Sequence, residues 1–231
     1  MGHGTEVIEV IFGLDPQWYA GTLFVLTYLM IMSERINRAI VSMTAAGLMI
    51  LGGVLTQEAA LEGIDFNTIG LLTGMMIIVA ITRQSGIFQY LAIWSAKQVK
   101  ASPWGILVML SLVTAVLSAL LDNVTTVLLR APVTLLITDS LEVKPYPYLF
   151  AEIFAANIGG TATLIGDPPN IMIGSAVGLS FNDFLLNLGP IVAVLLPAML
   201  IPIYLIWGRS LHASSDARQR VMDYNEADAI T

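Results

Sequence analysis

The stretch Leu121-Asp122-Asn123-Val124-Thr125-Thr126 decides how this chain is read. It closes one apolar run, 103–121, and opens a second apolar region, 123–138. An acid and an amide side by side end one helix and cap the next, because their side chains accept from free backbone N–H groups. Composition makes the flanking runs membrane segments. Apolar and aromatic residues occupy 56% of the 231 positions and charged residues only 12%, against about 25% in soluble domains. Mean hydropathy is +0.80. So little charge cannot cover a water-facing surface, and the chain reads as an integral membrane protein that needs the lipid bilayer as its partner. A disordered chain, a nucleic-acid binder and a secreted disulfide scaffold are excluded. Cysteine is absent, which also removes thiolate metal sites and thiol redox chemistry.

Outward from that stretch, the apolar segments 18–32, 38–55, 66–82, 103–121 and 188–208 are long enough to cross or enter a bilayer, since a span takes about 20 apolar residues. The first is not expected to be a cleaved signal peptide, because Glu6, Glu9 and Asp15 precede it and no small-residue cleavage pattern follows. Regions 123–138 and 146–178 are apolar but interrupted, the second by Asn157, Gly159, Gly160, Asp167, Pro168, Pro169 and Asn170. A continuous helix through those prolines is not expected, and broken backbone at membrane depth persists only where protein or water satisfies it.

Basic residues set the orientation. With the N-terminus outside and 103–138 entering and leaving on the inner side, Arg35, Arg38, Arg83, Lys97, Lys100, Lys144, Arg209, Arg218 and Arg220 all fall inside, as the positive-inside rule requires. Two full crossings by 103–138 keep the same sides. Segment 84–100 mixes Phe88, Tyr90 and Trp94 with Lys97 and Lys100 and reads as an inner-surface amphipathic helix; 180–187 reads as a counterpart on the outer surface. The expected fold is an all-α membrane protein, a polytopic helical bundle with a re-entrant helical hairpin and an unwound, discontinuous transmembrane helix. Its parts are an outer segment (1–17), scaffold spans with the interfacial helix (18–102), a transport region (103–208) and a polar inner tail or linker (209–231).

Asp122, Arg130, Glu152 and Asp167 are charges inside apolar segments. Each costs about 2.5–3.5 kcal/mol at a helix centre if unpaired. Arg130 suits snorkelling to the inner interface or pairing with a carboxylate. Glu152, in the first turns of its helix, either meets inner water or serves as a proton or charge-pair residue. The bland reading of Asp122, Asn123, Thr125 and Thr126 is helix capping alone. The functional one is a site at a hairpin tip, where helix N–H groups suit an anion and side-chain or carbonyl oxygens suit Na⁺. For Asn157, Gly159, Gly160, Thr161, Thr163, Asp167 and Asn170 the bland reading is a water-filled kink with a capped restart at Asp167. The functional reading is an unwound half-helix pair facing the tip, with Gly-Gly supplying unusual dihedrals and close backbone approach. Gly70–Gly74 and Gly174–Gly178 read as weak small-residue packing motifs. His3 and His212 form no metal set, no phosphate loop is present, and no nucleophile–base pair is visible, so an enzyme is not expected. No cofactor is expected beyond H⁺ or Na⁺ as a coupling ion.

The run Asp122 to Leu129, with Asn157-Ile158-Gly159-Gly160-Thr161-Ala162-Thr163 and Ile165-Gly166-Asp167-Pro168-Pro169-Asn170, resembles the ion transporter superfamily. Within it the arsenite permease/P protein branch, related to citrate and dicarboxylate carriers, is nearest, and the resemblance covers about 15–210. It implies an elevator-type secondary transporter in which hairpin tip and unwound helix jointly hold cation and substrate. Members carry two inverted repeats, whereas this chain shows one set of motifs before Thr231. It is expected to be an N-terminal half whose partners are a second repeat, in frame or separate, and, as an option, a second copy in a homodimer. Expected functions are transport of a small inorganic ion or anion such as arsenite, Na⁺/H⁺ antiport, or a di- or tricarboxylate carrier half; a non-transporting scaffold or regulatory subunit is the alternative from another class.

Overall fold

A computed structural model describes residues 11–224, which form helices without a strand among the described residues. Glu6, Glu9, His3 and the end of the tail beyond 224 lie outside them. The chain divides into two compact units, the first ending at Asp65 and the second beginning at Phe66.

In the first unit α1 (Pro16–Met32) starts where Asp15 accepts from the Gln17 N–H at 2.8 Å, with Pro16 at the first helical position. Asn37 caps α2 (Arg38–Leu51) in the same way through the Ala39 N–H, at 2.9 Å. The apolar run 38–55 suggests a longer helix. It stops at Leu51 because Gly52-Gly53 follow, with Gly53 in the left-handed region at φ +77. The Tyr19 hydroxyl donates to the Leu48 carbonyl at 3.0 Å and fastens α1 to α2. A short helix, α3 (Gln57–Glu62), is capped by Thr56.

The second unit holds α4 (Phe66–Gln84), α5 (Ile87–Gln98), α6 (Pro103–Leu120), α7 (Asn123–Ser140), α8 (Tyr146–Gly160), α9 (Pro168–Val177), α10 (Phe181–Ile206) and α11 (Ser215–Met222). Helices α4, α6 and α10 are long and apolar enough to cross a membrane. The expected hairpin is α6 and α7, joined at Leu121 and Asp122. Helix α5 packs on both of its arms, burying Phe88, Ala92, Ser95 and Ala96 while Trp94 stays exposed. Phe88, Ala92 and Ala96 of its apolar side are thus packed on protein.

Three helices, α6, α7 and α8, make the centre. Tyr148 of α8 donates to the Pro103 carbonyl at 2.9 Å, and Ser118 of α6 donates to the Ala156 carbonyl at 2.7 Å, so α6 and α8 run side by side in the same direction. They approach closely because Gly159 has no side chain: a Cβ there would sit 2.3 Å from the Ala115 carbonyl oxygen. Glu152 ties in the third helix. Its Oε1 accepts from Arg130 Nε at 3.2 Å and from Thr114 Oγ1 at 3.3 Å, and its Oε2 accepts from Thr134 Oγ1 at 2.8 Å. Arg130 and Glu152 are each 1% exposed. Of the expected alternatives, pairing holds: both side chains are buried, and Arg130 reaches Glu152 through its Nε instead of extending to the interface.

Three further expectations change. Residues 180–187 are not a separate surface segment. Ser180 and Asp183 form a capping box, and one helix runs from Phe181 to Ile206 through Pro190, Pro197 and Pro202. At 1.5 Å per residue its 26 residues span about 39 Å. The described part of the polar tail carries a helix: Ala217 and Val221, one turn apart on α11, are buried. Arg218 donates to the Lys100 carbonyl, and Arg220 to the Ser140 carbonyl, each at 3.2 Å, so α11 is fastened to the turn between α5 and α6 and to the end of α7. Gly70 and Gly74 meet no atom within 4 Å of an added Cβ, and Gly178 is a left-handed cap of α9. Only Gly174 of those motifs packs closely, against Leu164.

Two stability changes follow, both read by thermal unfolding in detergent. Gly159→Ala forces the α6 backbone away and is expected to cost about 1–3 kcal/mol, whereas Gly74→Ala leaves the melting point unchanged or slightly higher. Arg130→Met strands the Glu152 charge and is expected to cost about 3–5 kcal/mol, with most of the loss recovered in the Arg130→Met, Glu152→Met double variant. A double variant as unstable as the single one would show that the pair is not the source of the loss.

Candidate ion and substrate site

Both helix breaks meet at one end of this core. Leu121 and Asp122 are extended, and α7 starts at Asn123. Asp122 Oδ2 accepts from the Thr125 N–H at 2.9 Å, so the capping part of its expected role is present. Asn123 Oδ1 accepts from the Val124 N–H at 2.8 Å, and its Nδ2 donates across the gap to Asn157 Oδ1 at 3.0 Å. Asn157 in turn donates to its own helix at the Ile153 carbonyl, 2.8 Å away. That asparagine pair joins the hairpin tip to the last turn of α8.

The second break begins later than the Gly-Gly pair suggests. Helix α8 continues through Gly160, neither glycine has a positive φ, and the non-helical stretch is 161–167. Unusual dihedrals are therefore not what these glycines provide; close approach is. A Cβ on Gly160 would lie 2.7 Å from the Gly166 carbonyl oxygen, and one on Gly166 would lie 2.7 Å from that of Ser118. Thr163 Oγ1 donates to the Ala119 carbonyl at the end of α6 and accepts from the Gly166 N–H at 3.2 Å. Asn170, one turn into α9, donates to the Thr163 carbonyl at 2.9 Å and closes the loop. Thr161 is turned back onto the Ile158 carbonyl at 2.7 Å. Asp167 stands at the N-cap position before Pro168 and Pro169, as expected, but its side chain makes no capping bond.

From the expected set, Asn123 and Asn157 thus meet directly, while Thr163, with Gly166, secures the loop to the end of α6. Glu152 and Arg130 lie deeper, between the same helices. Thr126 Oγ1 and Arg130 Nη1 and Nη2 are buried without a hydrogen-bond partner. Sequence reasoning missed Thr114, Ser118 and Thr134. A signal existed for two of them: Ser111, Thr114 and Ser118 recur at helical spacing within the apolar run of α6, placing hydroxyls along one face. The arrangement offers a cation the carboxylates of Asp122 and Asp167 and nearby carbonyl oxygens. For an anion it is more restricted. The Val124 and Thr125 N–H groups are already capped, and the two prolines opening α9 have no N–H to give.

Residues 28–226 match the family model described as citrate transporter. An uncharacterized transporter of Mycobacterium bovis is 47% identical over 215 residues, which is 91% of this chain and 50% of that protein. The 46 kDa membrane protein of Mycobacterium leprae is 45% identical over 213 residues, 90% of this chain and 50% of that protein. The P protein of Homo sapiens is 39% identical over 196 residues, 80% of this chain and 23% of that protein. The chain spans about half the length of the mycobacterial relatives it matches. Helices apolar and long enough to cross a bilayer, in a chain whose residues 28–226 fit that model, make this an integral membrane protein that belongs to the citrate transporter family.

Proposed function

We propose that the chain is the N-terminal half of a secondary-active transporter for a small inorganic ion or anion such as arsenite, or for a carboxylate, coupled to H⁺ or Na⁺. The observation that carries this reading is the meeting of two interrupted helices at Asn123 and Asn157, with Asp122 capping the tip and Thr163, Asp167 and Asn170 in the neighbouring break. Discontinuous helices with polar termini at mid-membrane are the usual way a carrier builds a site for ions and substrate. Asp122 and Asp167 attract the coupling cation, and the tip and the loop 161–167 hold the substrate.

The hairpin α6–α7 is re-entrant on this reading, opening toward the inner side. The open end of α7 and the turn between α5 and α6 touch α11, and Lys97, Lys100, Lys144, Arg209, Arg218 and Arg220 all belong to segments at or next to that end. The positive-inside rule then gives an outer N-terminus and an inner tail in a bacterial-type cytoplasmic membrane. A second, inverted half supplies the matching hairpin and broken helix, which fits the twofold greater length of the mycobacterial relatives.

The test is solute flux. In proteoliposomes holding the chain with its second half, imposed H⁺ or Na⁺ gradients are expected to drive uptake or efflux of arsenite or citrate. Asn123→Ala and Asp167→Ala are expected to reduce that flux at least tenfold, the loss of about 1.4 kcal/mol of binding or barrier energy. Full flux in both variants would remove the two breaks from the site, and flux of none of these solutes in the unaltered protein would favour a scaffolding role.

A further inference from the structure

Asn123, Thr126, Arg130 and Thr134 lie on one stripe of α7, each three or four residues beyond the last. The stripe faces α8. Asn157 meets its first member, and Glu152 meets Arg130 and Thr134. Between those two attachments stand polar atoms that nothing satisfies: Thr126 Oγ1 and Arg130 Nη1 and Nη2. Thr126 is 0% exposed and Arg130 1%. Glu152 uses only the Nε of the guanidinium. Thr126 stands one turn before Arg130 on the same face of α7. Buried donors without a partner are rare, and the two-pronged Nη edge of arginine matches a carboxylate or oxyanion in shape and charge.

We infer that Arg130 Nη1 and Nη2, with Thr126 Oγ1, form a subsite for the carboxylate or oxyanion group of an anionic ligand, and that its arrival is balanced by a proton on Glu152. The inference rests on reading the chain as half of a transporter, and it names the chemistry of the substrate and the place of a coupling proton. Arg130 and Glu152 cancel each other's charge, so an arriving anion leaves one uncompensated negative charge in the bundle, which is strongly disfavoured. Protonation of Glu152 removes it. Among the described residues, the elements packed on α8 bring this carboxylate Thr114 from α6, Arg130 and Thr134 from α7, and apolar Leu196 and Met199 of α10 to the neighbouring turns. No second acid competes for the proton there. The proton comes from solvent and adds to Oε2, and the Thr134 hydroxyl, which now donates to that oxygen at 2.8 Å, turns to accept from it. Oε1 keeps its bonds from Arg130 and Thr114. The ligand reaches the subsite from the hairpin tip, by parting Asn123 from Asn157.

The test uses the chain together with its second half, purified, with citrate as the anionic probe and neutral arsenous acid as the uncharged comparison. Citrate binding is titrated calorimetrically in buffers of different ionisation heat, so that proton uptake is read with affinity. Thr126→Val is the deciding variant. It removes a hydroxyl that has no partner within the protein, so a purely structural residue would lose nothing and the melting point would hold or rise. The subsite predicts instead that citrate affinity falls about tenfold while arsenous acid is unaffected. Arg130→Lys keeps the charge, loses the two-pronged edge and is expected to weaken citrate further. Proton uptake on citrate binding is expected in the unaltered protein and absent in Glu152→Gln. Citrate affinity unchanged in Thr126→Val and Arg130→Lys overturns the subsite, and citrate binding without proton uptake overturns the role of Glu152. A protein that moves arsenite, or exchanges Na⁺ for H⁺, without binding citrate overturns the subsite and leaves the transport reading intact. One that binds and moves none of these overturns both.

Discussion

A single carboxylate, Glu152, sets the relation of the three central helices. It accepts from α6 through Thr114 and from α7 through Arg130 and Thr134, and it belongs to α8. An ionised pair buried this deeply is no gift to stability, since desolvation of both partners offsets most of their attraction. What it enforces is register. Sliding any one helix by a turn, about 5.4 Å, would leave a carboxylate or a guanidinium unpaired in an apolar interior, a far greater loss than that of an apolar contact. Tyr148, Ser118 and the bare face of Gly159 fix the same register along the α6–α8 seam. With it held, Asn123 can arrive opposite Asn157 and Thr163 opposite the Ala119 carbonyl.

Those features written in local residue chemistry were legible in the sequence. Asp122 reads as a cap and acts as one, and Asp167 before two prolines reads as a helix restart and is one. Each statement depends on residues within a few positions of one another. The capping box at Ser180 and Asp183 was equally local, and it explains why α10 begins at Phe181 rather than after a surface segment. What the residues alone do not reveal is which groups separated in sequence come together. Arg130 and Glu152 are 22 positions apart, and their charges fit a snorkelling chain and a wetted acid as well as a buried pair. The packing role of Gly159 depends on Ala115, which lies on another helix. The folded tail escaped for a related reason: Ala217 and Val221 form too short an apolar stripe to stand out in a polar segment, and only the ends of α5 and α7 give that stripe a surface.

The polar groups at the two breaks already spend their bonds on one another, and this bears on how such a site can bind anything. Asn123 is engaged by Asn157, Thr163 by the Ala119 carbonyl and the Gly166 N–H, and Asn170 by the Thr163 carbonyl. On the proposed reading, a ligand entering here exchanges hydrogen bonds instead of adding them, so its affinity is the difference between new bonds and those it displaces. A weak net affinity suits a carrier, which must release what it binds on the other side of the membrane. The exchange also links binding to shape, because the Asn123–Asn157 bond is a direct tie between the hairpin tip and the broken helix. A ligand that takes up either amide frees the tip from α8 at that point, while the Glu152 knot, five residues or about 1.4 helical turns before Asn157 on α8, continues to hold the arms. The tip can then respond to its occupant without loss of the register that brought its residues together.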